Sequence, residues 1–345
     1  MRRRDKGIKP PTMKDVAKKA GVSISTVSHV INKTRYVEEE TRKKVLDAIK
    51  ELGYRPNIVA RSLRKKSTNT IGLIVSNIAN LFYPEVVRGI EDVLLQNKYN
   101  IILCNSDEDI NKEREYIEVL YSKQVDGLII TPSKSTETRK NLELFISQDI
   151  PVILVDRRIS GIETDVVLAD NVSGTYSATE YLLNLGHKRI AIITGPLDTT
   201  TGRERLEGYL KALEEHNIPM EKDLIREGNF KRDGGYERGK ELLEMSNPPT
   251  AIISSNNLMT LGLISAINEK KLRIPKDISV ISFDDMEWFQ YFCPPLTSIY
   301  QPSYELGKNA GLLLMERLKR RRKKPKEVIL PTRLIIRESC APPLI

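Results

Sequence analysis

From Ile71 onward the chain repeats one pattern, in which a short apolar run is followed by a segment of helical period and then by another apolar run. The first runs are IGLIVS at Ile71, NIILCN at Asn100, VDGLIIT at Val125 and PVILVD at Pro151. Runs unbroken in their apolar character suit strands covered on both faces. A second series opens near Asp165 and continues through KRIAIIT at Lys188, TAIISS at Thr250 and ISVISF at Ile278, with helices expected at 203–216 and 257–270. Such alternation builds parallel α/β sheets, and two series imply two halves. Loops from the strand ends then meet at a shared cleft, where open parallel sheets bind ligands. A helix at 303–320 and a strand at 327–330 follow the second series, and their return to the first half would make a multi-strand hinge.

The first 56 residues read differently. MKDVAKKAGVSISTVSHVIN, residues 13–32, has the spacing of two short helices joined by a tight turn. Val16, Ala17 and Ala20 give the first helix its apolar face, Gly21 supplies a turn where a side chain would clash, and Ser23 can cap the second helix. Val27, Val30 and Ile31 bury that helix and leave Ile24, Ser25, Thr26, Ser28, His29 and Asn32 outward, a set able to meet base edges and phosphates. A third helix is expected over 38–52, stopped by Gly53. Pro56 breaks the chain, and NIVARSL at 57–63 is a short helix-capable stretch before the basic RKKSTNT at 64–70.

Charge separates the same regions. Residues 1–69 hold 19 Lys and Arg against 7 Asp and Glu, whereas the remainder holds 36 against 39. A basic segment on a near-neutral body is the footprint of a module that displaces counterions from nucleic-acid phosphates. The basic run KRRRKKPK at 319–326 follows an amphipathic helix and is read as a solvated helix end.

The 345 residues suffice for two or three domains, and a 40% hydrophobic content supports real cores. No apolar run is long enough to span a bilayer, and the basic N-terminus has no apolar segment behind it, so a cytoplasmic protein is expected. Cys104, Cys293 and Cys340 lie far apart, which suggests packing roles and neither disulfides nor a zinc site. His29, His187 and His216 occur singly, with His187 read as a loop residue, so no metal or cofactor is expected. An enzyme is disfavoured, because the phosphate-binding and nucleophile motifs are missing. Asp284 and Asp285, neighbours at a strand end, should point apart and not share acid/base work. A solute-binding transport protein would have a similar body, with a signal peptide and no basic head.

KDVAKKAGVS-x-STVS from Lys14, GYRPN from Gly53, ARSLR from Ala60, NLFYPEVVRGIE from Asn80, VDGLII from Val125, LGHKRIA from Leu185, GPL from Gly195, RLEGY from Arg205 and PPLTSIYQP from Pro294 occur in this order. Over nearly its whole length the chain thereby resembles the LacI/GalR family of bacterial transcription regulators, and its head is particularly similar to that of the purine-responsive members. The resemblance implies an all-α helix-turn-helix head with three helices and a hinge helix, then a periplasmic-binding-protein-like type I body of two parallel-sheet subdomains. Expected boundaries are 1–56 for the head, 57–69 for hinge helix and linker, 70–169 plus 302–331 for the N-terminal subdomain, and 170–301 plus 332–345 for the C-terminal one.

Carried over by motif, Ile24, Ser25 and His29 would read bases, and Thr26, Ser28 and Asn32 would hold phosphates. Leu63 would wedge into the minor groove with Arg64 beside it. In the cleft, Asn80, Phe82, Tyr83, Asp156, Thr201, Arg205, Phe230, Asn256, Asp284 and Gln301 would contact a small-molecule effector. Thr199 stands where the purine-binding members carry an arginine, so a sugar or sugar acid is the preferred effector and a purine co-repressor the alternative. Asn256-Asn257 replaces the family's Asn-Asp pair, and the aromatic stretch from Met286 to Phe289 is expected to border the pocket. The expected partners are a pseudo-palindromic double-stranded operator and a second copy of the chain in a homodimer, since no leucine heptad follows the last strand. A protein co-regulator remains a further reading.

Overall fold

The computed structural model describes residues 11–54, 67–319 and 324–344. It divides into two units, Met1–Thr68 and Asn69–Ile345. The hinge segment at 57–63, with Leu63, and Arg64 after it lie outside the described residues, as does part of the basic run.

In the head, α1 spans Met13–Ala20, α2 Ile24–Asn32 and α3 Glu39–Leu52. Thr12 and Asp15 form a reciprocal capping box on α1, which satisfies backbone donors that a helix start otherwise leaves open. Gly21 ends α1 with φ +66°. A Cβ there would meet nothing within 4 Å, so the left-handed backbone, and not the clash inferred above, requires glycine. Ser23 Oγ accepts from the Thr26 amide at 3.1 Å and caps α2. Val16, Ala17, Val27, Val30, Val45, Ala48 and Tyr54 form a small core, with Ile31 packed at its margin.

The body contains two six-stranded sheets. Strands β1 (Thr70–Val75), β2 (Asn100–Asn105), β3 (Gly127–Ile130), β4 (Val152–Val155) and β5 (Asp165–Ala169) alternate with α4 (Phe82–Gln96), α5 (Ile110–Ser122) and α6 (Ser135–Ile146). The second set is β6 (Ile190–Thr194), β7 (Ile225–Glu227), β8 (Ala251–Ser254), β9 (Ser279–Phe283) and β10 (Thr297–Tyr300), with α7 (Asn171–Asn184), α8 (Thr200–Glu215), α9 (Arg232–Leu243) and α10 (Asn257–Glu269). Helix α11 (Ser303–Leu318), β11 (Glu327–Leu330) and β12 (Arg333–Ile335) complete the chain.

The first sheet runs β11-β5-β4-β3-β1-β2 and the second β12-β10-β9-β8-β6-β7. All pairings are parallel except β10 with β12. The strand at Asp165 therefore belongs to the first sheet, between β4 and β11, and does not open the second series. Its sequence position misleads because the chain leaves the first sheet only after β5. The chain crosses between the sheets at three places: after β5, between β10 and α11, and between β11 and β12.

Apolar clusters cover both faces of each sheet. The run at Asn100 is the exception to full cover, since β2 is an edge strand and Leu103 is exposed. Helices α4 and α11 approach closely through Gly89 and Gly307, where an added Cβ would lie 2.1 Å from Tyr304 O and 1.9 Å from Val86 O. His187 lies in the loop before β6, as read, and is buried there: its Nδ1 lies 2.8 Å from Thr250 Oγ1 and its Nε2 2.9 Å from Ala341 O, which ties the start of β6 to the C-terminal segment. Burial revises one single-residue expectation. Cys293 is exposed and packs no core, unlike Cys104. Among the described residues, no helix is long and apolar enough to cross a membrane.

Candidate DNA-reading helix and effector cleft

Helix α2 presents the six residues expected to meet DNA. Ile24, its first residue, and Ser25 are exposed, while Thr26, Ser28, His29 and Asn32 are half-buried. Each polar member has a local partner. Ser23 Oγ lies 2.7 Å from Ser25 Oγ and 2.8 Å from Thr26 Oγ1, and His29 Nδ1 lies 2.9 Å from Thr34 Oγ1. Asn32 Nδ2 donates to Ser28 O and Oγ. These bonds orient the polar side chains of the helix, while the Ile24 side chain stays exposed.

The cleft is assembled from the carboxyl ends of strands in both sheets. Ten residues named from the resemblance, Asn80, Phe82, Tyr83, Asp156, Thr201, Arg205, Phe230, Asn256, Asp284 and Gln301, line a single narrow cavity. Asn77, Glu108 and Arg157 line it too and went unread in the sequence. The available signal was position alone, since Glu108 follows β2 and Arg157 follows β4. Thr199 is absent from the lining: its Oγ1 accepts from the Gly202 amide and donates to Pro196 O, capping α8.

Arg205 organises the floor. It is 3% exposed, donates from Nε to Asn171 Oδ1 at 2.9 Å and from Nη1 to Ser255 O at 2.5 Å, and lies over the Phe283 ring. Asp284 accepts from Gln301 Nε2 and from the Asn257 amide. Burial raises the pKa of Asp284 against the pull of Arg205, and raises that of Asp156 against Arg157 and Arg205. Tyr83 receives a bond from Ser76 and donates to Asp156, and burial pushes its phenol well above the usual value. Asp285 turns away as expected and pairs with Arg337.

The first-sheet side of the cleft meets the second directly. Asn257 Nδ2 donates to Asn80 Oδ1 at 2.8 Å, Lys231 pairs with Asp107 at 3.4 Å, and the Arg158 amide donates to Thr200 Oγ1 at 2.9 Å. Asn256 caps α10 and donates to Phe230 O. Glu108, Asp156, Phe230 and Asp284 have left-handed backbones, with φ between 60° and 69°. That conformation is uncommon for such side chains, and its concentration at strand ends marks a functional site. Of the residues lining the cavity, Gln301 Oε1 and Arg157 Nε are buried without hydrogen-bond partners. Orphaned polar atoms at a cavity fit a polar ligand. The aromatic stretch after Asp285 does not border the cavity: Trp288 and Phe292 pack edge-on or tilted against Phe289 at the second subdomain's core. Among the described residues, no group of three or more His, Cys, Asp or Glu could hold a metal ion.

Two family models match the chain. Bacterial regulatory proteins of the lacI family match residues 12–57, and a periplasmic binding protein-like domain matches residues 179–340. The HTH-type transcriptional repressor PurR of Vibrio atlanticus (strain LGP32) is 44% identical over 308 residues, covering 89% of this chain and 92% of that protein. The lac repressor dimer bound to operator and the anti-inducer ONPF aligns with TM-score 0.86 and 31% identity over 96% of this chain and 100% of its own. The complex of the transcriptional regulator CelR with cellobiose aligns with TM-score 0.73 and 31% identity over 95% and 99%. The chain belongs to the lacI family of bacterial regulatory proteins, and it is a DNA-binding transcriptional repressor and not an enzyme.

Proposed function

We propose that this repressor acts as a homodimer whose two heads read the halves of a pseudo-palindromic operator, and that a small molecule in the cleft sets its affinity for DNA. Ile24, Ser25 and His29 would read bases, with Thr26, Ser28 and Asn32 on phosphates and Leu63 and Arg64 in the minor groove. The observation that carries the effector site is the gathering of ten separately named side chains around one cavity. Closure of the cleft on a ligand would reposition the first subdomain against the second, and a coupling of about 1–3 kcal/mol would change operator affinity about 5- to 150-fold.

The effector we infer is a sugar. Hydroxyls both donate and accept, which answers the donor on Arg157 and the acceptor on Gln301 that lack hydrogen-bond partners. The lining holds three carboxylates and two guanidiniums, which favours a neutral sugar over a sugar acid. A purine is the second reading, favoured by relatives named PurR, against which stands Thr199 in place of an arginine that could reach the cavity.

A thermal-shift panel of sugars, sugar acids and purines, followed by operator titration with each hit, tests both. A ligand at 100 times its Kd stabilises the fold by about 2.7 kcal/mol. A sugar that shifts melting and changes operator affinity supports the first reading, and a purine that does both replaces it with the second.

A further inference from the structure

The charge of Arg157 is engaged before any ligand arrives. Its side chain is 4% exposed, and both terminal nitrogens reach the Glu108 carboxylate at 2.7 Å in a two-pronged pair. Nη1 also donates to Pro132 O at 3.1 Å. So braced, the guanidinium carbon sits over the Phe230 ring, 5.1 Å from its centroid. The tip of that ring abuts Gly195, where an added Cβ would lie 1.8 Å from Phe230 Cζ. Arg157 and Glu108 come from the first subdomain, Phe230 and Gly195 from the second, so the contact spans the cleft.

A flat heteroaromatic ligand gains most by stacking on an aromatic face. Here that face is already held by a cation, itself a favourable arrangement. A base could use it only by displacing the guanidinium, which would leave Glu108 without its paired fork. A hydroxyl-rich ligand faces no such conflict, because it needs no aromatic face and can bond to the polar lining while the Arg157–Glu108 pair stays intact.

We propose that Arg157, positioned by Glu108, is the specificity-determining residue of the cleft: it covers the stacking face of Phe230 and thereby admits polyhydroxylated ligands and excludes purine bases. The assignment rests on the reading of the cleft as an effector site.

The experiment is calorimetric titration of the full-length repressor, of Arg157→Met and of the charge-balanced Glu108→Gln/Arg157→Met double variant, each first checked for a native melting transition. The probes are ribose, cellobiose, gluconate, hypoxanthine and guanine. The double variant guards against loss of folding through an unpaired Glu108. The expected result is that a folded variant binds a purine at least tenfold more tightly than the parent, while any sugar bound by the parent is weakened. A parent that binds purine as tightly as its variants overturns the proposal. If the parent binds a sugar and no folded variant gains purine affinity, the Arg157 assignment fails and the sugar cleft stands. If no probe binds any of the proteins, the assignment fails together with the effector reading of the cleft.

Discussion

On the recognition helix, Ser25, His29 and Asn32 find their partners two, five and four residues away. In the cleft, Arg205 bonds to a residue 34 positions distant, Arg157 to one 49 away, and Asn257 to one 177 away. The head therefore holds the side chains proposed to read DNA by local bonds alone. The body builds its site out of the same buried bonds that close its two halves together. Binding and stability should be separable by mutation in the first region and inseparable in the second.

Arg205→Ala should have the largest effect. It leaves Asn171 Oδ1 and Ser255 O buried without their charged donor and removes the cation that pulls on Asp284, and a buried acceptor that loses its partner costs about 1–3 kcal/mol. Chemical denaturation of the full chain would register that loss, and a change below about 1 kcal/mol would break the contrast between the regions. His29→Ala should instead leave unfolding nearly unchanged while relaxing base choice, with a loss of discrimination of about 1–3 kcal/mol at one operator position. Competition binding with single-base operator variants reads this directly, and a loss equal on operator and random duplexes would remove His29 from base reading. Ser23→Ala sharpens the comparison inside the head. It deletes the α2 cap and should destabilise the head by about 1 kcal/mol, seen as lower amide-exchange protection in α1 to α3 with the body unaffected.

The smallest effect concerns pH and the body. Burial lowers the His187 pKa below its ordinary 6.5, with the Ala341 carbonyl working the other way. The unfolded chain then binds a proton near pH 6.5 that the folded chain refuses, so the stabilisation is fully present above that pH and declines as pH falls toward the lower folded value. Melting temperatures of the parent and of His187→Gln at pH 7.5 and 5.5 isolate the contribution. A parent that loses no more on acidification than the variant would show that this ring stays neutral in both states.

Periodicity and charge made much of this protein readable. The head's helices, its caps at Ser23 and Gly53 and the apolar runs of the body follow from local rules of spacing and backbone conformation. Asn80, Phe82, Tyr83, Arg205 and Gln301 were legible through motif resemblance, because each stands in a recognisable local string, NLFYPEVV, RLEGY or PPLTSIYQP. Arg157 and Glu108 carry no such string. Their importance comes from a pair formed between two loops, and position in the chain does not reveal it. The aromatic stretch after Asp285 illustrates the converse, since composition suggested a pocket wall and packing placed it in a core.

Local sequence by itself determined the kinds of element and the basic character of the head, because helix and strand periods and charge are properties of neighbouring residues. Tertiary structure alone decided which sheet receives the strand at Asp165, which glycine answers to backbone conformation and which to space, and which side chains of the cleft are left unpartnered. Those outcomes depend on contacts between residues far apart in the chain, whose energies exist only once the two sheets have come together.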